Sequence, residues 1–181
     1  MANNSLETFI DGIQSTWGPL TTELVARSCT HLEELIKTPV SEEWLASLHK
    51  KAPTSEELYR DPKYGFLLLA HTENAGLYRP PHDHGRGWVI YALQQGEIEM
   101  GSYARVTETD GRVRLVKRDA TIVRPGQCLV YLPGDVHDTR CINGPALLFR
   151  FTDRDLKKEE EEEHRVTRYV DGDGIWTIGN A

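Results

Sequence analysis

Residues 80–85 read Pro-Pro-His-Asp-His-Gly, and this stretch decides the fold that the sequence predicts. Two histidines at positions i and i+2 of a strand point to the same side, so His82 and His84 can bind one ion together. The two prolines before His82 favour an extended backbone and suit the start of a strand. Imidazole is a good ligand for iron, zinc, copper and nickel. The stretch therefore predicts a strand that carries part of a transition-metal site.

A second stretch, residues 125–137, contains a candidate third ligand. It ends in Pro-Gly-Asp-Val-His, so His137 follows three residues after a Pro-Gly turn. Four apparent strands and their turns separate it from the first stretch. That is enough chain to bring His137 back beside His82 and His84 in a closed barrel, and we expect the three side chains to bind one divalent metal ion.

The sequence around the two stretches has the pattern of a β protein. Over roughly residues 64–152, short apolar or alternating runs are separated by turns rich in glycine and proline. Many short strands with regular turns are typical of a sandwich or barrel. Upstream, residues 4–51 carry apolar side chains at helical spacing and predict helices.

The remainder of the chain begins with a charged run. Residues 153–165 include the five consecutive glutamates Glu159–Glu163 and predict a solvated helix or a mobile link. A hairpin is predicted after it, around Asp-Gly-Asp-Gly at residues 171–174. A length of 181 residues suits one domain with a full core. We therefore expect a single domain, with a helical part over about 1–58, a barrel over about 59–152, and the charged segment and hairpin over about 153–181.

The two stretches resemble the motifs of the cupin superfamily. Its first motif has two histidines one residue apart and a later glycine, matched here by His82, His84 and Gly96. Its second motif reads PxGxxH, whereas Pro133-Gly134 places the glycine one position earlier. Many cupins add a glutamate ligand four or five residues after the second histidine, where this chain has Trp88-Val89. The resemblance implies a mainly β double-stranded β-helix barrel with N-terminal helices, and a metal site of three histidines alone.

Three-histidine cupin sites are typical of the thiol dioxygenases, the family of cysteine dioxygenase and 3-mercaptopropionate dioxygenase, which this chain resembles over about residues 59–152. Those enzymes have a tyrosine and an arginine before the first barrel strand, and the arginine grips the substrate carboxylate. Tyr59 and Arg60 stand at that place. His71 falls on a position that lines the family's pocket. The resemblance thus implies catalytic or binding roles for these three residues.

The chain departs from that family in its outer catalytic residues. The family's Ser-x-His-x-Tyr set is absent from residues 148–152, and Val89 replaces the cysteine that some members crosslink to the tyrosine. Arg150 lies within this stretch and could supply a second carboxylate grip, but alternation alone does not say which face it occupies. Trp88 and Tyr91 either line the pocket or belong to the core.

The ligand set indicates the class of reaction. Three neutral ligands leave three positions of an octahedral ion open and leave its charge near +2, which favours an anionic substrate beside dioxygen. We therefore expect an iron(II)-dependent dioxygenase that oxidises a small anionic substrate similar to a thiol carboxylate. Zinc, nickel and manganese are alternative metals. Alternative functions are carbon–carbon cleavage, isomerisation, lyase chemistry, and metal or ligand binding without catalysis.

Composition disfavours other partners. The net charge of −7 argues against nucleic acid and anionic membranes, because phosphate binding needs clustered lysine and arginine. The three cysteines are widely spaced, which disfavours a disulfide framework or a zinc knuckle. No apolar run reaches about 18 residues, so we expect no membrane span. A cytoplasmic monomer or homodimer is the resulting prediction.

Overall fold

The structure is a computed structural model, and it describes residues 4–179. Three helices come first, and strands, one short helix and a final hairpin follow. The helices are α1 (Ser5–Thr16), α2 (Thr22–Ile36), α3 (Glu43–Lys51) and α4 (Leu156–Glu161). The strands are β1 (Glu56–Arg60), β2 (Leu67–Glu73), β3 (Tyr78–His82), β4 (Val89–Thr107), β5 (Val113–Val123), β6 (Cys128–Tyr131), β7 (Val136–Thr152), β8 (Tyr169–Gly172) and β9 (Ile175–Ile178).

The first two N-terminal helices begin at side-chain caps. Asn4 accepts a hydrogen bond from the Glu7 amide while the Glu7 carboxylate accepts one from the Asn4 amide, which is a capping box at the start of α1. Thr21 caps α2 through the Leu24 amide. Each helix then buries one apolar face, as its spacing predicts, and Phe9 and Ile13 are the buried residues of α1. The predicted N-terminal helices are therefore present.

All strands belong to one antiparallel sheet, and two long bent strands organise it. The first half of β4 pairs with the end of β7 and with β6, whereas its second half pairs with the start of β7 and with β5. The β4–β7 register shifts on both sides of Gly96, which has φ +84°. A Cβ at this position would lie 2.6 Å from the Asn143 carbonyl oxygen. Glycine therefore permits the bend at which β4 and β7 cross closely.

The predicted closed barrel is only a half-barrel. The path of paired strands runs β1-β2-β7-β4-β5-β9-β8 without returning to β1, while β3 pairs with β7 and β6 with β4. The nearest approach to closure is one isolated bridge between His82 of β3 and Arg168, beside β8. A single bridge next to a four-residue strand is too short to join the edges of the sheet. What the chain forms is a mainly β, curled antiparallel sheet with N-terminal helices.

The two faces of the strands carry different cores. One face packs against α1, α2 and α3 through apolar side chains, most of them large, namely Phe66, Leu68, Ala70, Trp88, Ile90, Phe149 and Phe151. The other face points into the fold and contains a second cluster that includes Val89, Tyr91, Leu93, Tyr131 and Leu148. Neighbouring residues of one strand alternate between these clusters, because side chains point to opposite sides of a strand.

The charged run is largely solvated, as its composition predicts, since Lys157, Lys158 and Glu161–Glu163 are exposed. It forms α4, and Glu159 within it is only 5% exposed. This carboxylate accepts a hydrogen bond from the Arg86 amide at 3.2 Å and pairs with Arg154 at 3.3 Å and Arg165 at 3.5 Å. The two guanidinium groups offset the cost of burying the charge. One buried acid therefore ties the run to the loop that follows the first histidines.

The final hairpin consists of β8 and β9, with its turn at Asp173-Gly174, and β9 pairs with β5. It lies where the sequence predicts a hairpin. Within residues 4–179 no helix combines the length and the apolar character that crossing a membrane requires. The assignment of the whole chain to one domain stays a prediction.

Candidate metal centre

Three buried histidines meet where β3 pairs with β7. His82 ends β3, His84 follows in the next loop, and His137 is the second residue of β7 and the register partner of His82. Their candidate ligand atoms all lie within 4.8 Å of one another. Across the described part of the chain, this is the one group of three or more His, Cys, Asp and Glu residues that could hold a metal ion.

The ring nitrogens of these histidines fit a metal. The His82 Nδ1 lies 2.8 Å from the Pro80 carbonyl oxygen, and donation of its proton there leaves the Nε2 lone pair available. Both nitrogens of His137 are buried without a hydrogen-bond partner. Burial lowers the pKa of all three side chains, that of His84 to about 2 and that of His137 well below its usual value. Neutral imidazoles with unused lone pairs are what a divalent transition metal requires.

Two buried carboxylates next to the histidines fix the backbone around them. Asp83 lies between His82 and His84, pairs with Arg105, and accepts hydrogen bonds from the Gly85 and Thr167 amides at 3.0 and 2.9 Å. Because successive residues point in opposite directions, anchoring Asp83 outward holds both histidines inward.

Asp138 performs the same task beside His137. It accepts hydrogen bonds from the Tyr103 hydroxyl at 2.6 Å, the Tyr78 hydroxyl at 3.0 Å and the Gly101 amide at 2.8 Å. These bonds connect β3, β4 and β7 directly behind the metal centre. The three histidines are therefore positioned before any ion binds.

Two tyrosines complete the inner wall of the centre. Tyr131 stacks on His137, with ring centroids 3.9 Å apart and an interplanar angle of 26°. The Tyr91 hydroxyl lies 3.3 Å from the His84 Nε2. The sequence does not decide whether Tyr91 lines the pocket or belongs to the core. The structure places it in the second cluster, on the inner face of the sheet, where it also lines the smaller cavity. Trp88 lies in the helix-facing cluster instead.

Two cavities adjoin the histidines. The larger, of about 360 Å³, is lined by His82, His84 and Arg150, with Arg60 and the side chains of α4 at its other side. The smaller, of about 280 Å³, lies against His82 and extends towards His71. His82, Arg150 and Arg168 line both cavities, so the two spaces meet beside the metal centre.

Arg150 faces this space, which alternation in the sequence could not decide. It pairs in register with Leu69 of β2 and Tyr91 of β4, and it lines both cavities. Its Nε is buried without a hydrogen-bond partner, and among the described residues it forms no ion pair with an acidic side chain. A cation that is only partly satisfied by the protein can bind an anion that enters the cavity.

His71 also faces the smaller cavity, where the sequence predicted a pocket residue. Its Nδ1 lies 3.1 Å from the Thr54 carbonyl oxygen, and its Nε2 is buried without a partner. Burial, followed by the positive charge of Arg150, lowers its pKa to about 3. The side chain is therefore a neutral imidazole at physiological pH.

Arg60 and Tyr59 lie on opposite faces of β1, so the structure does not bring both into the site. Arg60 is at the rim of the larger cavity, about half exposed, and pairs with Glu57 at 2.7 Å and Asp155 at 2.8 Å. Tyr59 packs against Phe66 in the helix-facing cluster, and its hydroxyl lies 3.2 Å from the Asp61 carboxylate. It lines neither of the two cavities, and a role for it in the chemistry stays a prediction.

No local feature of the sequence indicates the outer wall of the site. Arg168 lines both cavities and pairs with Glu160 of α4 at 2.5 Å. Glu160 is one of five identical neighbours, and nothing local distinguishes it from the exposed members of the run. Only the packing of α4 shows which of these side chains reach the cavity.

No protein-family model matches the chain, and no curated protein matches its sequence. Solved structures with a similar arrangement include KdgF from Halomonas sp. (19% identity, 54% of this chain, 74% of that chain, TM-score 0.41). A further example is the cupin domain of Schizosaccharomyces pombe Cnp3, with 14% identity over 59% of this chain and 63% of that chain and a TM-score of 0.43. Another is a recombinant oxalate oxidase in complex with glycolate, with 18% identity over 55% of this chain and 50% of that chain and a TM-score of 0.41. The chain thus spans between half and three quarters of their lengths.

Proposed function

We propose that the chain is a mononuclear non-haem iron(II) dioxygenase that oxidises a small anionic substrate with dioxygen. The observation that supports this most directly is the shared cavity wall of His82 and Arg150. It places a neutral three-histidine cluster next to Arg150, a half-buried arginine that forms no ion pair with an acidic side chain among the described residues. Such a pair of features favours a substrate that has one group for a metal and a carboxylate for the arginine.

His82, His84 and His137 would hold the ion. Iron(II) bound by three neutral ligands would supply redox chemistry with dioxygen and open positions for a thiolate or enolate substrate. Arg150 would orient the substrate by binding its carboxylate, and a buried charge-assisted bond of this kind contributes about 1.5–3 kcal/mol. The chain's own contribution is therefore to bind, orient and partly desolvate the substrate.

Arg150 is a better carboxylate ligand than Arg60. Arg60 already has two acidic partners, and a substrate would have to compete with Glu57 and Asp155 for it. Arg150 has no such ion-pair partner among residues 4–179, and it lines both cavities together with His82, whereas Arg60 lines only the larger one. We propose Arg150 as the binding residue and Arg60 as a rim residue that limits which substrates enter.

A second candidate function is metal-dependent isomerisation or lyase chemistry, without oxygen. The observation that favours it is His71, a neutral imidazole whose buried Nε2 faces the smaller cavity without a partner. An imidazole in that state can accept a proton from a substrate carbon or oxygen. Near its end, β7 faces the cavities with Leu148, Arg150 and Thr152, so the serine, histidine and tyrosine of the thiol dioxygenases are each replaced by another residue there.

Oxygen uptake by the purified protein tests the proposal. The protein is loaded anaerobically with iron(II) and given 3-mercaptopropionate, cysteine, cysteamine or a β-diketone, with His82→Ala as the control. Substrate-dependent uptake that needs His82 and iron is the expected result. Metal bound at one ion per chain with no uptake on any substrate would contradict the dioxygenase proposal. Product formation by the zinc or nickel form would then favour the second candidate.

Cysteamine has a special role in this series because it lacks a carboxylate. If Arg150 binds the substrate carboxylate, cysteamine should be a poor substrate compared with 3-mercaptopropionate. A cytoplasmic location, a monomeric or homodimeric state, and the absence of nucleic-acid or membrane partners remain predictions from composition.

A further inference from the structure

We propose that the hydroxyl oxygen of Tyr91 is a fourth protein ligand of the metal ion. The site would then consist of three imidazoles and one phenolate. This inference rests on the proposed metal centre, and the experiment below separates failure of the one from failure of the other.

The first support is distance. The Tyr91 hydroxyl lies 3.3 Å from the His84 Nε2. Two donors that each lie about 2.0–2.1 Å from an ion, at right angles to each other, are about 3 Å apart. The separation of the oxygen and the nitrogen therefore suits adjacent positions on one ion as well as it suits a hydrogen bond.

The second support is the loss of the hydroxyl's hydrogen-bond acceptor. Without metal, the Tyr91 hydroxyl can donate its proton to the His84 Nε2 lone pair. An ion bound at that nitrogen uses the same lone pair. Within the described chain the hydroxyl makes no hydrogen bond to another side-chain acceptor, and Arg150, its cross-strand neighbour, carries donors only. A buried phenol would then be left without an acceptor, which is unfavourable.

Coordination resolves this conflict. The phenol O–H bond breaks, its proton passes to the buffer, and an oxygen–metal bond forms without any change in oxidation state. Burial raises the pKa of Tyr91, and the positive charges of the bound ion and of Arg150, its cross-strand neighbour, would oppose this shift. Tyr91 is only 5% exposed, and its rigid β4 backbone pairs with both β6 and β7, so the oxygen is held in place.

This ligand set would change how the site selects substrates. A phenolate lowers the charge of the ion and its ligands from about +2 to about +1. It also leaves two open positions on a six-coordinate ion in place of three. A bidentate substrate would therefore fill the ion, or would displace Tyr91 to admit dioxygen. Tyr91 would in this way determine how a substrate binds.

Visible absorption of the iron(III) form tests the proposal. The protein is loaded with iron(II) without oxygen, its iron content is measured, and the iron is oxidised with ferricyanide. A phenolate on iron(III) gives a visible charge-transfer band that imidazole ligands do not give. We expect the band in the wild-type protein, its loss in Tyr91→Phe at equal iron content, and its retention in Tyr131→Phe. Tyr131 is the matched control, because it is also buried and stacks on His137.

Resonance Raman spectra excited in that band provide a measurement that needs no variant. Tyrosinate ring modes are expected in the wild-type protein, and their absence would overturn the proposal. One iron per chain without a visible band would refute Tyr91 as a ligand and leave the three-histidine site intact. A band that persists in Tyr91→Phe would also refute it. If the wild-type protein binds no more iron than His82→Ala, both the metal centre and the role of Tyr91 are wrong.

Discussion

β2 and β7 each have two faces that differ in chemistry, although adjacent residues of the same strand supply both faces. Ala70 and Phe149 point to the helices and belong to an apolar core. Their immediate neighbours His71 and Arg150 point to the cavities beside the metal centre. Stability and chemistry are thus separated by one position along each strand, because side chains alternate between the faces.

The comparison also concerns unsatisfied groups. The strand residues that face the helices are mostly rings and aliphatic chains, whereas the inner face has buried polar atoms without partners on His71, His137 and Arg150. The helices themselves contain two such atoms, on Ser28 and His49. Buried polar atoms normally have partners, and leaving one without costs about 1–3 kcal/mol. The difference indicates that ligands bound at the inner face would satisfy these atoms. The following predictions test whether stability depends on the helix-facing side and chemistry on the inner face.

The largest expected effect is on the helix-facing side. Phe151→Ala should lower the free energy of unfolding by about 3–5 kcal/mol, because Phe151 is fully buried against Phe9, Trp17 and Trp88. Urea denaturation measures it. The fraction that remains folded should still bind one metal ion per chain. A comparable loss of stability in Arg150→Met would contradict the separation of the two faces.

The second largest effect is expected on metal binding at the three histidines. His137→Ala removes one of three ligands and should weaken metal binding by more than about 100-fold, measured by competition with a chelator. The free energy of unfolding of the metal-free protein should change far less than in Phe151→Ala, since both His137 nitrogens lack partners there. Wild-type affinity in this variant would show that the three histidines do not bind one ion.

A matched pair of arginine variants tests whether the substrate carboxylate binds in the cavity or at its rim. Arg150→Met should raise the KM for a carboxylate substrate roughly 10–100-fold, in line with the loss of a charge-assisted hydrogen bond. Arg60→Met should change it little, because Arg60 already pairs with Glu57 and Asp155. Steady-state kinetics with 3-mercaptopropionate measures both. Equal effects of the two variants would return the carboxylate-binding role to Arg60.

The smallest effect is a pH dependence of stability. His71 has its pKa lowered to about 3 in the folded chain, while unfolding restores the usual value near 6.5. The unfolded chain therefore binds one more proton between these values, and stability falls as pH decreases through that window. At pH 5.5 the metal-free protein should have lost about 1.4 kcal/mol through this residue. Urea denaturation at pH 5.5 and 8 should show that His71→Gln lacks this component, and an unchanged pH dependence would exclude His71.

The metal ligands could be predicted because their signal is local. The spacing of His82 and His84 places both on one side of a strand, and the Pro-Gly turn before His137 marks where the third ligand lies. The bend at Gly96 accounts for how the distant stretch returns. The barrel was predicted closed and is a half-barrel, because pairing of the outer strands depends on their lengths and not on any motif.

The rest of the site could not be predicted for two reasons. Alternation cannot show which side Arg150 takes when both faces of β7 are buried, since Leu148 and Phe149 are equally apolar. Glu159 and Arg168 depend on tertiary packing of a charged segment that reads as solvated. Tyr59 and Arg60 are a different case. The family resemblance predicts both at the site, but adjacent residues of a strand face opposite sides, and of the two only Arg60 lines a cavity.

Different segments of the chain supply the outer and inner walls of the larger cavity. The histidines and Arg150 come from paired strands, whereas Leu156, Lys157 and Glu160 come from α4, which follows β7 and is anchored by Glu159. Insertions or deletions in this segment would not move the register of any strand before it. Homologues could therefore diverge in substrate size by remodelling one stretch while inheriting the metal centre unchanged. For a protein engineer, α4 is accordingly the place to randomise first.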